Sequence, residues 1–405
     1  MRVTPAVVVL LALAPGKADA GGLARPNQLS AHGLSLGGAF VAVADDATAW
    51  HFNPSGTAFA RPSVHIGAEL VIAPRSYTPI DAAGVRGETQ SPNTPIIPLP
   101  ALGVVVRIND RVRVGGGVWN TFGGQLTYPK VGLMGVIDHS QNAVIEGVGG
   151  VSYQVTERFA IGGAARLGIG LFKVQTTRKP VDSDLSATGV GIGASLGGTW
   201  RPSPRVTLAA SWRSGLEIKT TGSGTLLLPD GPLPVTVEHV QTWPQSASVG
   251  AAVAVRPRLL WSIELDWTQW SRYESLDVNF PGTEAVNQSF PLDWEDNYAV
   301  RSGVEWRKSP GFALRGGAYV DTSAIPDQNI ERQYLDRDKL GIAVGVGAGA
   351  GTWHLDFGAD FTGGAKRTVP DNSAEVGEFD SLENAAPGEY SGLLFSFELA
   401  LVRRL

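Results

Sequence analysis

The sequence predicts an all-β fold: a transmembrane antiparallel β-barrel of about fourteen strands with an N-terminal hatch, or plug, inside its lumen. Three observations lead there. From about Ser63 onward apolar residues recur with a period of two rather than 3.6, the alternating stretches are long, and the connections between them are short and long by turns. Successive side chains of a strand take opposite faces, so alternation puts one face in an apolar medium and the other in a polar one. A soluble sandwich alternates too, with its apolar face in the core. The stretches here reach about 9–15 residues, against about 5–6 for soluble strands and about 9–11 for a tilted membrane strand.

Taken in order, the chain opens with Met1 and Arg2, an apolar run over 6–14, and the small-x-small triplet Ala18-Asp19-Ala20. That is the layout of a secretory signal, so 1–20 is expected to be a signal peptide and the mature chain to begin at Gly21. Residues 21–62 do not alternate; they are small and turn-rich, yet Leu34, Leu36, Phe40, Val41 and Phe52 make them too apolar for a disordered tail. They are expected to form the plug, and 63–405 the barrel. Strands are expected near 63–74, 98–108, 112–122, 143–155, 158–173, 187–200, 205–220, 244–256, 258–272, 296–307, 311–322, 338–349, 352–363 and 391–402. In 259–269, Trp261, Ile263, Leu265 and Trp267 oppose Ser262, Glu264, Asp266 and Thr268; in 206–219, Leu208, Trp212, Leu216 and Ile218 oppose Thr207, Arg213, Glu217 and Lys219. The connections at 109–110, 201–204, 257 and 308–311 are short, whereas 75–97, 123–142, 174–186, 273–295, 323–337 and 364–390 are long. Short turns belong on the periplasmic side of an outer-membrane barrel, which would put both termini there. Trp119, Trp200, Trp243, Trp270, Trp294 and Trp306 fall toward strand ends, where an interfacial girdle would sit.

Composition excludes more than it selects. Only 18% of the 405 residues are charged, yet no apolar run is long enough to cross a bilayer as a helix. A net charge of −5 leaves no basic footprint for nucleic acid. With no cysteine, disulfides, thiolate metal sites and cysteine nucleophiles are ruled out. Two Gly-x-Ser-x-Gly matches, around Ser35 and Ser195, would make a nucleophile elbow only on a strand-to-helix turn. Ser35 falls in the expected plug and Ser195 inside a glycine-rich strand, so no enzyme is expected. The six histidines lack the spacing of a metal site, and Asp45-Asp46 reads as a turn before it reads as a cation site; neither metal nor cofactor is expected.

The run 38–56, which contains Asp45, Asp46, Asn53, Pro54 and Ser55, resembles the N-terminal hatch signature of the FadL/TodX family of outer-membrane hydrocarbon transporters. The resemblance continues through 265–270, 294–298, 301–305, 314–321, 325–327 and 336–338. It implies a fourteen-stranded barrel, a hatch, an apolar binding pocket inside, and lateral exit through the wall where the third strand kinks. Two departures stand out. Ser55 replaces the family's usual alanine after Asn-Pro, and the chain ends Val402-Arg403-Arg404-Leu405 instead of on an aromatic residue read by the barrel-assembly machinery.

The function expected is passive transport of hydrophobic small molecules, long-chain fatty acids or hydrocarbons, across the outer membrane with release into lipid. Lipopolysaccharide blocks simple partitioning of an apolar solute, and no energy source is visible. Candidate pocket residues are Leu34, Leu36, Phe40 and Phe52, which serve equally well as plug packing. Inward charges include Arg213, Glu264, Asp266, Arg301 and Arg315, expected to hold the plug by ion pairs, although an arginine could meet a substrate carboxylate. Glycine permits the bulge that interrupts pairing, so the lateral opening is sought at Gly115, Gly116 and Gly117, or at Gly123-Gly124. The alternatives are a general diffusion porin and a structural barrel without ligand.

Overall fold

The computed structural model describes residues 29–81, 83–93, 96–127, 137–176, 182–228, 230–330, 335–369 and 387–405. The expected signal peptide and residues 21–28 lie outside the described residues. Fourteen strands close a barrel: β1 Ser63–Ile72, β2 Ile97–Arg107, β3 Val112–Thr127, β4 Ile137–Thr156, β5 Phe159–Thr176, β6 Asp182–Ser203, β7 Val206–Arg213, β8 Ser246–Arg256, β9 Leu259–Thr268, β10 Asn297–Ser309, β11 Phe312–Asp321, β12 Lys339–Ala350, β13 Trp353–Gly363 and β14 Leu394–Arg404. Each pairs antiparallel with the next, and β14 returns to β1 with Ser63 opposite Arg404 and Ile72 opposite Phe395. Every expected strand falls on one of these.

The two faces of the wall decide the medium. In β9, Leu265 is 52% exposed while Glu264 is 4% exposed, and Val300, Leu314, Ile342 and Leu399 continue the apolar outer band on other strands. A soluble sandwich would bury the leucine and expose the carboxylate. Apolar outside and charged inside is the arrangement of a membrane barrel.

Two local expectations are corrected. Residues 206–219 are not one strand: β7 stops at Arg213, and beyond Ser214-Gly215 the chain enters a separate hairpin, Leu216–Leu228 with Gly231–Trp243. Alternation survives only within an unbroken strand, and the corner shifts its phase. Arg213 is therefore buried, as are Leu216 and Ile218, whereas Glu217 lies on the outside, 3.0 Å from Arg272. The second correction concerns the tryptophans. Trp200 and Trp306 do face outward beside short turns, joined there by Trp353, but Trp119, Trp243, Trp270 and Trp294 are buried. A strand end marks height along the barrel; it does not say whether the ring points into lipid or inward.

Candidate functional site

Residues 29–62 occupy the lumen as a chain of short turns. Helix α1, Ala31–Ser35, starts where the Ser30 hydroxyl accepts the Gly33 N–H at 3.2 Å, and α2, Ala49–Phe52, runs directly into a 3₁₀ turn, Pro54–Phe59. Proline suits the start of a helical turn because its missing N–H would have had no partner there. The segment reaches the wall on many sides because the wall is glycine there. A Cβ on Gly150 or Gly115 would strike Trp50, on Gly303 or Gly317 the backbone around Leu36, and on Gly197 the Asn53 side chain.

The motif residues anchor this segment. Asn53 Nδ2 donates to Val41 C=O at 3.0 Å and to Thr199 Oγ1, on β6, at 2.9 Å, while its Oδ1 accepts the Ser55 hydroxyl at 2.7 Å. The Ser55 hydroxyl also meets Thr199 at 2.8 Å, so the extra oxygen at this position is used. Asp46 accepts the Thr48 N–H at 2.7 Å, and Asp45 lies 3.4 Å from His32 Nδ1, whose Nε2 is 3.0 Å from Glu305. Burial and the Arg315 guanidinium oppose charge on His32, yet the Glu305 and Asp45 carboxylates hold its pKa up at about 10. Ligand atoms of His32, Asp45 and Asp46 fall within 4.8 Å of one another, the spacing a metal would need. Those atoms are already engaged as described, so a cation would have to displace an ion pair and a turn bond. Leu34, Leu36, Phe40 and Phe52 are all buried, with Phe40 and Phe52 edge to face at 5.2 Å in the core of this segment.

The inward charges form separate clusters. Glu264 accepts the N–H groups of Phe40 and Val41 at 2.7 and 2.6 Å, Asp266 pairs with Arg301 at 2.5 Å, and Arg315 bridges Glu305 and Asp356 at 2.7 and 2.5 Å. Arg213 donates to His51 C=O at 3.0 Å and reaches Glu146 at 3.2 Å. Glu146 escaped notice in the sequence because it stands alone among glycines and aliphatics. It is fully buried and also takes Arg166 at 2.7 Å and the Thr121 hydroxyl at 2.6 Å. Neither serine of the two Gly-x-Ser-x-Gly runs lies on a strand-to-helix turn: Ser35 hydrogen-bonds Ala31 C=O within α1, and Ser195 is mid-strand opposite Arg213.

Beside the inner segment the loops build a packed aromatic cluster, an aromatic chamber filled by its own rings, that the sequence reading missed, having assigned its tryptophans to a girdle. Trp270 and Trp294 are 5.0 Å apart, Tyr273 packs 4.9 Å from Trp294, and Trp243 stacks on Phe122 at 4.8 Å. A cavity of ≈ 40 Å³ adjoins it, lined by Trp270 and Trp294 on one side and by Asp266, Arg301 and Lys339 on another. That holds a water or two, against about 300–1,000 Å³ for a ligand pocket, so a solute must move these rings to enter.

Phe122 links the chamber to the barrel wall. The β2–β3 ladder runs from Arg107 opposite Arg113 to Leu102 opposite Val118 and stops, although both strands continue. Among the described residues, pairing across this seam resumes at an isolated bridge, Asn93 N–H to Thr127 C=O at 2.8 Å. Between these points the wall is interrupted. On its other side β3 stays paired with β4, with a register shift between Asn120 and Phe122 that leaves Thr121 extra and is followed by Gly123 at φ 142°. The bulge turns Phe122 inward next to the inward-facing Trp119. Gly115, Gly116 and Gly117, where the opening was sought, lie on rungs paired to both neighbours; the interruption begins just beyond them. Their smallness serves close approach instead, Gly115 to Trp50 and Gly117 to the Trp119 ring.

A family model described as outer membrane protein transport protein (OMPP1/FadL/TodX) matches residues 11–395. Alkane uptake protein A of Marinobacter nauticus is 26% identical over 178 residues, a match covering 39% of this chain and 38% of that relative. The chain thus aligns with well under half of that protein's length. Among solved structures, a Pseudomonas aeruginosa FadL homologue superposes with a TM-score of 0.83 at 15% identity, covering 95% of this chain and 100% of that one. The toluene transporter TbuX of Ralstonia pickettii gives 0.71 at 17%, covering 94% and 99%. At these identities the superpositions speak to fold alone.

Proposed function

Because the chain belongs to the OMPP1/FadL/TodX outer membrane transport family, we propose that it passes neutral hydrophobic molecules, hydrocarbons in the first place, by passive diffusion and releases them sideways between β2 and β3. The family and fold make it an outer-membrane β-barrel for hydrophobic substrates; the route and the choice of substrate are our reading. The observation that carries it is the continuity of the aromatic chamber, through Phe122, with an interrupted stretch of wall.

Charge favours a neutral substrate over a carboxylate. Around the chamber Arg301 is matched by Asp266 and Asp321 and Lys339 by Asp336, which leaves the acids in excess. Among the described residues lining that cavity each cation already has a carboxylate partner, so a fatty-acid anion would have to displace one. The relative named alkane uptake protein A bears a name in keeping with that preference. In the same reading residues 29–62 act as a plug that denies an aqueous path, and the protein performs no catalysis. The outer apolar band meets lipid and lipopolysaccharide.

The test is uptake by cells lacking other hydrophobic-solute transporters. Expression should accelerate entry of radiolabelled alkane or toluene without raising entry of a hydrophilic sugar, and Trp270→Ala with Trp294→Ala should reduce it. Faster sugar entry with unchanged hydrocarbon entry would make the protein a general porin.

A further inference from the structure

The ladder between β2 and β3 ends where β2 becomes proline-rich, and the two facts are connected by hydrogen-bond geometry. Along a strand, backbone groups point alternately to the two neighbours. At the turn between these strands Ile108 N–H donates to Val112 C=O at 3.1 Å. The β2–β3 and β1–β2 ladders carry no register shift. The even-numbered residues of β2 therefore turn their N and C=O toward β3 and the odd-numbered ones toward β1. Continuing the register two residues past Leu102 opposite Val118 would set Pro100 opposite Asn120; beyond that the bulge at Thr121 turns the Phe122 backbone toward β4, so Pro98 meets no partner group of β3 in register. Both prolines are even, and neither has an N–H. On its other edge the same stretch is fully paired, with Pro100 opposite Ala68 and Pro98 opposite Leu70 on β1, because the donors needed there come from odd residues.

We propose that Pro98 and Pro100 are positioning residues for the exit route: Pro100 removes the donor β2 would offer at Asn120, Pro98 removes the next donor along the same edge, and together with the Thr121 bulge they stop β3 from zipping shut and hold the wall open beside Phe122. An unpaired strand edge normally recruits a partner, and proline on that edge is the standard way to prevent it. Here the edge lies inside a barrel wall, so the partner kept away is the barrel's own next strand. The bulge at Thr121 contributes from the other side by shifting the backbone of β3 out of step, and the Glu146 carboxylate fixes that residue through its hydroxyl. Both proline side chains face the exposed outer surface, where valine fits an apolar medium equally well.

The inference rests on the lateral-release reading, and its test separates the two. Pro98→Val with Pro100→Val restores both donors; Leu99→Val with Ala101→Val changes odd positions and serves as control. In lipid vesicles the first pair should slow amide hydrogen exchange of peptides spanning 117–126 by about tenfold, the worth of one to two added backbone hydrogen bonds. Hydrocarbon uptake should fall with it, and the control pair should alter neither. Unchanged exchange at 117–126 in a barrel that still migrates as heat-modifiable would overturn the role given to the prolines. Slowed exchange with undiminished uptake would leave that role standing and remove lateral release instead.

Discussion

At the scale of single residues, buried charges are the points of greatest leverage. Glu146 neutralises Arg166 and Arg213 and holds Thr121. Glu146→Ala would strand two buried guanidinium groups and is expected to destabilise the protein by about 3–5 kcal/mol in urea unfolding from vesicles. Ser55→Ala should be mild, about 1 kcal/mol, since Asn53 keeps its own bond to Thr199. His32 links the inner segment to pH. Its ordinary value is about 6.5, and the folded protein raises it to about 10. The stabilisation from its charge is therefore complete below about pH 6.5 and is lost as pH rises through about 10. The groups facing it are Asp45, Glu305 and Arg315. Amide exchange of 29–45 should speed up between pH 7 and 10 after correction for intrinsic rates, and His32→Gln should flatten that dependence.

At the scale of elements, β9 offers the cleanest test of what surrounds the wall. With no native cysteine, single cysteines at 261 through 267 each provide a lone thiol. Trp261, Ile263, Leu265 and Trp267 should label from a lipid-confined reagent, whereas Ser262, Glu264 and Asp266 should stay silent to it. Leu265→Arg should cost about 2–4 kcal/mol if that position faces the middle of the bilayer. Labelling without alternation would remove the membrane wall. Of these elements most was legible beforehand, because a period of two survives as long as a strand is unbroken. It failed at Ser214-Gly215, where a corner reset the phase and carried Glu217 outside.

On the scale of the molecule, the inner segment and the wall depend on each other. Deleting 21–60 should leave a heat-modifiable barrel whose even positions in β9 become open to a water-soluble maleimide while the odd ones do not change. Loss of the folded barrel in that variant would mean that the wall needs its contents: the glycines at 150, 303 and 317 each leave room for a neighbour from the inner segment.

The sequence by itself determined the fold class, the strand count and the family, since all of these follow from local alternation and a contiguous motif. It also supplied the inward charges on unbroken strands, Glu264 and Arg301 among them. The tertiary structure alone decided which tryptophans turn inward, because Trp243, Trp270 and Trp294 sit where connections fold back over the lumen and burial there depends on contacts between segments far apart in the sequence, Phe122 with Trp243 and Trp270 with Trp294. It likewise decided where the wall is interrupted. Pro98, Pro100 and the extra residue at Thr121 are unremarkable one at a time. Only pairing between β2 and β3 brings them to one seam, and whether a proline breaks a ladder depends on which neighbour its missing N–H would have faced.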